Sequence, residues 1–363
     1  MSSPLSAYSS SRDNNFNLIR FVAAALVLYS HSFAIALGSA DAEPLIKTIG
    51  MTWGMIAVDV FFVASGFLVT GSYTARRNLL VFVWARIMRI YPALIVAVLF
   101  CVSIVGLSYT TLSAWEYLST AQTFKFFIKN SLLFFGLEYD LPGVFAGNPW
   151  KYAVNGSLWT LPYEVRMYAM LAIILFSVDW IQDRLGGNGA AKYVLLIIAI
   201  LAVTANIANH FSTYTSVQFI HLLTMFFIGA TCYAWRERFY LSVRTFLIFL
   251  TLVLIASFDP KIFFVLYVIS LPYLMLFIAY VPSGRIRNFN KIGDYSYGMY
   301  IYAFPVQQSI GATIPGISVG MMIITSFSVA LILSVLSWHL IEKRCLKFKN
   351  SQAFVAPFTK TSD

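Results

Sequence analysis

The sequence predicts an all-α, multi-pass membrane protein with about ten transmembrane helices and both termini in the cytoplasm. Composition is the first observation: 59% of the 363 residues are hydrophobic and only 11% are charged, which excludes an ordinary soluble domain. The second is the recurrence of apolar runs of roughly 20 residues, the length that crosses a bilayer. The third is the placement of the basic residues.

These basic residues are distributed unequally between the predicted loops. With a cytoplasmic N-terminus, eighteen Lys and Arg residues fall in cytoplasmic segments and five in external segments, while Arg20 and Arg166 lie inside spans. Because cytoplasmic loops are enriched in Lys and Arg, this asymmetry predicts the orientation. It also explains the net charge of +10, so we expect a lipid bilayer and no nucleic acid as partner.

The order of the spans follows from length and apolarity. The ten predicted spans are 16–37, 51–72, 81–107, 158–178, 192–209, 214–234, 244–258, 262–281, 295–311 and 317–340. We expect residues 1–345 to form one membrane domain, with an external loop at about 108–157, and residues 346–363 to form a short basic cytoplasmic tail. The three cysteines are far apart in the chain, so we predict neither a disulfide framework nor a metal site.

Two parts of the external loop stand out. The apolar run 126–137 is too short to span and contains Lys129, so we expect it to lie at the interface or to dip into the bilayer. The end of the loop, PGVFAGNPWKYAVNGSLWTLPYE, combines Gly and Pro with Trp and Tyr. This composition suits a sugar-binding mouth and an interfacial aromatic belt equally. In the first case Trp159, Tyr163 and Arg166 would bind the acceptor.

The first span carries two ionisable residues, Arg20 and His31. An Arg in mid-span costs ~2.5–3.5 kcal/mol on insertion scales, so such residues are functional candidates. Eleven residues make about three helical turns, which places both on one face, roughly 16 Å apart. Ala23, Ala24 and Val27 lie between them and would leave a groove. The structural alternative is a hydrogen-bonded core histidine and an arginine that snorkels to the headgroups.

Three ionisable groups are predicted at a similar depth below the outer surface: His31, Asp59 and Glu164. Counting from the outer helix ends places each roughly 10 Å into the membrane. A carboxylate beside a histidine fixes its tautomer and stabilises the imidazolium, so Asp59 or Glu164 would orient His31 as a general base. The alternatives are a structural ion-pair cluster and a proton relay.

A second cluster is predicted at the cytoplasmic surface. Arg86 and Arg89, in WARIMRIYP, are three residues apart and therefore share a helix face. Their guanidinium groups match phosphate oxygens bidentately. An anionic lipid headgroup would satisfy them as well, and a positively charged cytoplasmic flank needs no ligand.

Six motifs occur along the chain in this order: Arg-x10-His in the first span, DVFFVASGF, RIMRIYP, SLWTLPYE, GDYSYGMYIYAFPV and SWHLIEK. Together they resemble the acyltransferase 3 family, bacterial inner-membrane O-acyltransferases of cell-surface carbohydrates. The resemblance extends from about Asn15 to Lys343.

This resemblance implies a multi-pass protein of the bacterial inner membrane that transfers an acyl group, usually acetyl. The donor would be cytoplasmic acetyl-CoA and the acceptor a sugar hydroxyl on the outer side, with no metal. By the same resemblance, His31 would be the catalytic histidine and Arg20 its partner in the motif. Arg86 and Arg89 would engage the coenzyme.

The sequence departs from the family pattern in two places. The ninth span of the family usually carries a His shortly before its Pro, whereas this chain has Phe304 before Pro305. The last motif usually ends Glu-Lys-Pro, whereas Arg344 follows Glu342 and Lys343 here. Some relatives carry a fused extracytoplasmic hydrolase-like domain, which we do not expect here.

A proton-coupled transporter or flippase of glycan precursors is the alternative function, with the His, Asp and Glu residues as a relay. Transporters of that kind typically show inverted repeats and broken helices in matching halves. The sequence shows neither pattern, so we favour the acyltransferase.

Overall fold

The computed structural model describes residues 3–9, 11, 13–186, 189–212 and 218–348. Most of the predicted basic tail, 349–363, lies outside the described residues, as does 214–217 at the start of the sixth predicted span. Within the described residues the fold is helical, apart from two strands of two residues each, β1 (Ser3–Pro4) and β2 (Tyr240–Leu241), which pair antiparallel.

Among the described residues, a helix occurs at each of the ten predicted spans, and a 12-residue helix lies in the predicted external loop. The helices are α1 Phe16–Leu37, α2 Trp53–Thr74, α3 Leu79–Phe100, α4 Ala121–Leu132, α5 Leu161–Leu185, α6 Ala190–Phe211, α7 Gln218–Ala234, α8 Val243–Ala256, α9 Pro260–Tyr280, α10 Ser296–Thr313 and α11 Val319–Ser337.

Shorter helical pieces flank them. These are the α-helical turns Leu5–Ser9, Ile46–Ile49, Leu107–Tyr109, Ala114–Ser119, Phe289–Ile292 and Lys343–Phe348, the 3₁₀ turns Ala40–Ala42, Gly156–Thr160 and Gly284–Asn288, and the π-helical turns Cys101–Gly106 and Trp338–Glu342. Two of these turns extend long helices without a break: Cys101–Gly106 continues α3, and Trp338–Glu342 continues α11.

Seven helical segments in the described part of the chain are long and apolar enough to cross a membrane. They comprise α1, α2, α3 with its continuation, α5 with the turn before it, α6, α9, and α11 with its continuation. The apolar helices α7 and α8 are shorter, at 17 and 14 residues, and α10 is not among the seven. The count of about ten crossings and the cytoplasmic position of the termini therefore stay predictions.

The chain divides into two compact units. The first consists of Met1–Ala23, Leu45–Leu79 and Arg166–Gly293, and the second of Ala24–Pro44, Leu80–Val165 and Asp294–Asp363. The helices α1 and α5 contribute residues to both.

In the first unit, α2 packs against α7 at very close range. A Cβ atom on Gly66 would lie 1.9 Å from the carbonyl oxygen of Phe226, so only glycine fits there. Small residues at such crossings let helix backbones approach each other in membranes. This close contact places α2, which carries Asp59 in its first half, alongside α7.

The neighbouring pair α6 and α7 runs antiparallel with a regular register. Two donors on α7 and one in the turn after it bond to carbonyl oxygens of α6, each at 3.0 Å: Thr224 Oγ1 to Ala202, Thr231 Oγ1 to Leu195, and Trp235 Nε1 to Lys192. These bonds satisfy polar groups that would otherwise face hydrocarbon.

In the second unit, α10 is the central helix. Fourteen of its 18 residues are buried, although many are polar or aromatic. The hydroxyl of Tyr297 donates to the carbonyl of Ile90 on α3 at 2.9 Å, and Tyr302 packs edge-on against Phe100. Because protein rather than lipid surrounds α10, its sequence need not be uniformly apolar.

The predicted external loop is folded rather than extended. The helix α4 has 12 residues, about 18 Å in length, which is too short to span. Asn130 in α4 donates to the carbonyl of Glu138 and accepts from its backbone N–H, while Lys129 forms an ion pair with the Glu138 carboxylate at 2.7 Å. The predicted apolar run 126–137 is therefore half helix and half loop, and its depth in the membrane stays a prediction.

Candidate active site

His31 lies in the second half of α1, which belongs to the second unit, and its ring is held on two sides. The Nδ1 atom lies 3.5 Å from the hydroxyl oxygen of Ser157, and the ring packs edge-on against Phe304, with centroids 5.1 Å apart at 80°. Its other nitrogen, Nε2, has no hydrogen-bond partner among the described residues. The imidazole is therefore positioned but has one nitrogen available for chemistry.

The turn of α1 around His31 is fixed by a buried amide of α10. Gln307 Nε2 donates to the carbonyl of Leu28 at 2.8 Å and to the hydroxyl of Ser32 at 2.7 Å. Gln307 and Ser32 are both completely buried. Buried polar groups at membrane depth must find such partners. These two bonds bracket His31 in sequence, so they hold the helical turn that carries it.

The segment that carries Ser157 is attached to the same helix. The Tyr300 hydroxyl donates to the carbonyl of Ser157 at 2.7 Å and accepts from Thr160 at 2.6 Å. Asn155 Nδ2 donates to the carbonyl of Ile301 at 2.8 Å. Because α10 also holds α1, one helix sets the positions of both Ser157 and His31.

Phe304, the residue before Pro305 on α10, lies beside His31. Its ring fits against Gly156, where a Cβ atom would lie 2.7 Å from the ring, and against the imidazole of His31. Phe304 therefore supplies an apolar wall beside His31.

Asp59 belongs to the first unit, where it forms a different cluster. Its carboxylate, 2% exposed, accepts from His221 Nε2 on α7 at 2.8 Å and from the Tyr267 hydroxyl on α9 at 2.8 Å. The second ring nitrogen of His221, Nδ1, accepts from Asn206 on α6 at 3.2 Å. Asp59 thus orients His221, and the cluster joins four helices.

Glu164 and two of the predicted acceptor-binding residues lie at the start of α5. Glu164 is in the first helical turn, where the helix dipole favours a carboxylate. Trp159 and Tyr163 pack edge-on, with ring centroids 5.9 Å apart, and both are partly exposed. Arg166 follows in the first unit and is exposed.

Arg20 is partly buried in the first half of α1. The three small residues predicted to line a groove between Arg20 and His31 are all buried, at 3% or less exposure: Ala23, Ala24 and Val27. Protein rather than lipid therefore covers this face of α1.

The two predicted coenzyme-binding arginines differ in their surroundings. Arg89, whose side chain is 14% exposed, lies 2.6 Å from the Asp294 carboxylate and 3.4 Å from that of Glu342. The guanidinium of Arg86 lies over the ring of Phe82, 5.9 Å from its centroid. Arg89 is therefore the centre of an ion-pair cluster that joins α3 to the start of α10 and the end of α11.

Comparison with known proteins decides the family. The chain matches the family model described as an acyltransferase domain over residues 13–341, nearly its whole length. The chain belongs to the acyltransferase 3 family. No solved structure matches it significantly.

Two curated relatives cover almost the full length of this family member. An O-acetyl transferase of Shigella phage Sf6 is 30% identical over 351 residues, covering 92% of this chain and 96% of that protein. Nodulation protein 10 of Rhizobium leguminosarum bv. viciae is 26% identical over 372 residues, covering 96% and 97%. The chain is thus similar to these relatives from end to end.

Several residues around His31 and Asp59 were not predicted from the sequence of this acyltransferase. Ser157 and Tyr300 lie inside motifs that carried the family resemblance, but their contacts depend on tertiary packing. His221 is an ionisable residue within the apolar helix α7, so the rule that singled out His31 would also have selected it. Gln307 is polar but not ionisable, so that rule did not apply to it.

Proposed function

We propose that this protein is an O-acetyltransferase of the bacterial inner membrane. It moves an acetyl group from cytoplasmic acetyl-CoA to a hydroxyl of an extracytoplasmic cell-surface polysaccharide or its lipid-linked precursor. Family membership supports acyl transfer, and one relative is named an O-acetyl transferase. The observation that carries the proposal is the setting of His31, an imidazole held by Ser157 and Phe304 with Nε2 available.

In this proposal His31 is the acid–base group. Nε2 accepts the proton of the sugar hydroxyl as its oxygen attacks the acetyl carbonyl. The carbon–sulfur bond of the thioester breaks, and Nε2 returns the proton to the sulfur, so the products are an acetyl ester and free coenzyme A. A transient acetyl group on Nε2 is the covalent variant of the same transfer.

We assign the binding of the donor, acetyl-CoA, to arginine residues. The Arg86 guanidinium offers a planar fork for a coenzyme phosphate, and Arg20 is a further candidate for the same ligand. Arg89 contributes by fixing the turn of α3 that carries Arg86, because Asp294 and Glu342 hold its guanidinium. Arg86→Lys keeps the charge but loses the fork, so it is expected to weaken the apparent affinity for acetyl-CoA, whereas Arg89→Lys is expected to lower stability.

We assign the binding of the sugar acceptor to residues at the start of α5. Trp159 and Tyr163 present partly exposed aromatic faces, and Arg166 and Glu164 supply hydrogen-bonding groups for sugar hydroxyls. Of the two carboxylates predicted to orient His31, Glu164 belongs to the same unit as His31, whereas Asp59 belongs to the first unit and orients His221.

The test uses purified protein in proteoliposomes with acetyl-CoA labelled in the acetyl group and the isolated envelope glycan of the host as acceptor. The wild type should transfer label to the glycan. His31→Gln should lower the rate by ~10²–10⁴-fold, the usual contribution of a positioned general base, with an unchanged melting temperature.

A matched control is His210→Gln, which removes an exposed imidazole near the end of α6 and should leave the rate unchanged. A wild-type rate for His31→Gln would overturn the role of His31. Failure of the wild type to cleave acetyl-CoA in the presence of the glycan would overturn the proposed reaction and leave the transporter alternative.

A further inference from the structure

The first unit carries an apolar groove between α6 and α7 that the proposed reaction does not use. Its volume is about 510 Å³, within the ~300–1,000 Å³ of small-molecule sites. The groove is lined from α6 by Leu196, Ala199, Ile200, Val203 and Thr204, and from α7 and the turn after it by Ile228, Thr231, Cys232, Trp235 and Phe239.

Around Thr231 and Trp235 the lining offers hydrocarbon contact rather than hydrogen bonds. Thr231 donates to the carbonyl of Leu195 at 3.0 Å, and the Trp235 indole N–H donates to the carbonyl of Lys192 at 3.0 Å. The donors of these two polar lining residues are therefore already used by the antiparallel helix pair. An occupant of this part of the groove would have to be apolar.

One end of the groove is cationic. The ammonium of Lys192 lies 5.4 Å from the ring centroid of Trp235, and the guanidinium of Arg238 lies 5.8 Å from it. Neither cation has an ion pair with a carboxylate among the described residues. Tyr193 packs edge-on against Trp235 at the same end, 5.4 Å between centroids. Aromatic and basic residues of this kind gather at membrane interfaces.

The length of the groove suits one leaflet. From Lys192 to Thr204 is twelve residues of helix, roughly 18 Å, against a hydrocarbon core of about 30 Å for the whole bilayer. The positive end is also the end that the charge pattern predicts to be cytoplasmic, where anionic lipids are concentrated.

We propose that this groove is a binding site for an anionic phospholipid. One acyl chain lies between α6 and α7 along Ala199 and Ile228, and the phosphate lies between Lys192 and Arg238. The site is independent of the proposed acetyl transfer, because it involves none of the residues around His31.

The experiment measures binding of brominated lipids to the full chain in nanodiscs through quenching of Trp235 fluorescence. The difference between the wild type and Trp235→Phe isolates this tryptophan from the other seven. Brominated phosphatidylglycerol should quench Trp235 at lower mole fractions than brominated phosphatidylcholine. Lys192→Gln and Arg238→Gln should each weaken the phosphatidylglycerol preference about five-fold, and the double variant should abolish it.

Two matched controls separate the site from general lipid contact. Arg244→Gln removes an exposed cation at the start of α8 and should preserve the preference. Ala199→Phe fills the groove and should remove quenching by both lipids, whereas Ala205→Phe, on an exposed part of α6 outside the lining, should not. Equal quenching by the two lipids, or a preference that survives Lys192→Gln with Arg238→Gln, would overturn the proposal even if Ala199→Phe fails to fold.

Discussion

His31 and His221 are both histidines in apolar helices, yet the two units of the protein treat them differently. In the second unit, His31 has one contact of 3.5 Å from Nδ1 to a hydroxyl, and no hydrogen-bond partner for Nε2 among the described residues. In the first unit, His221 donates from Nε2 to Asp59 at 2.8 Å and accepts at Nδ1 from Asn206 at 3.2 Å.

Because of this difference, His31 can exchange a proton with a substrate, whereas His221 cannot do so without breaking its own hydrogen bonds. A fully hydrogen-bonded buried network gives a helical bundle a unique arrangement, whereas catalysis requires an incompletely satisfied group at the reacting position. We therefore infer that the cluster of Asp59, His221, Asn206 and Tyr267 stabilises the first unit, and that His31 does the chemistry.

The largest effect that would test this comparison is on stability. Asp59→Ala leaves the His221 and Tyr267 donors without their acceptor, so the free energy of unfolding should fall by about 1–3 kcal/mol. His31→Ala removes one weak contact and should leave stability near that of the wild type. Thermal unfolding in detergent, monitored by size-exclusion chromatography, measures both.

Asp59→Asn sharpens the same test, because the amide keeps the size of the side chain and one acceptor oxygen. We expect a smaller loss of stability than for Asp59→Ala, and acetyl transfer by the folded fraction close to the wild-type rate. If Asp59→Asn is as stable as the wild type but transfers no acetyl group, Asp59 belongs to the catalytic machinery and the comparison fails.

A smaller effect is expected at Ser157, the only hydrogen-bonding side chain that contacts His31 in the described residues. Ser157→Ala should lower kcat about 3- to 10-fold with little change in KM, since one hydrogen bond orients the ring. Ser157→Thr retains the hydroxyl and should restore part of the rate. The pH dependence of kcat should also shift in Ser157→Ala, because the Ser157 hydroxyl interacts differently with the neutral imidazole of His31 and with its imidazolium.

The control for Ser157 is Ser326→Ala on α11, another buried serine, whose hydroxyl bonds to its own helix at Met322. It should leave both kcat and its pH dependence unchanged. An unaltered pH profile in Ser157→Ala would limit Ser157 to a packing role.

The sequence predicted the helices well, because each span is a long apolar run with a charged or Gly- and Pro-rich boundary. α1 begins and ends where it was predicted, at Phe16 and Leu37. Membership of the acyltransferase 3 family was also predicted correctly from six motifs, and the family match confirms it. Short helices such as α8, with 14 residues, leave the number of crossings undecided by length alone.

The contacts between side chains were harder to predict than the helices, because the sequence indicates only the depth of a residue below the membrane surface. Asp59 was matched to His31 because both lie at a similar distance from a helix end, but depth does not specify which helices are neighbours. The close contact of Gly66 with Phe226 puts α2 beside α7, and there Asp59 bonds to His221. Likewise, Asp294 and Glu342 lay within recognised motifs, but only the tertiary fold brings both to Arg89.

The smallest expected effect concerns the apolar contact of His31, which is with Phe304. Its ring meets His31 edge-on, at 5.1 Å and 80°. Edge-to-face pairs contribute ~0.5–1.5 kcal/mol, so Phe304→Leu should lower kcat about two- to three-fold by loosening the ring.

A matched variant separates this effect from a general loss of aromatic packing. Phe100 makes a similar edge-on pair with Tyr302, at 5.5 Å and 83°, within the same unit. Phe100→Leu should therefore cost comparable stability but leave kcat unchanged. If both variants reduce kcat equally, the effect comes from the packing of α10 as a whole. If neither variant reduces kcat, Ser157 alone positions the ring of His31. The difference between His31 and His221 then rests only on their hydrogen bonds.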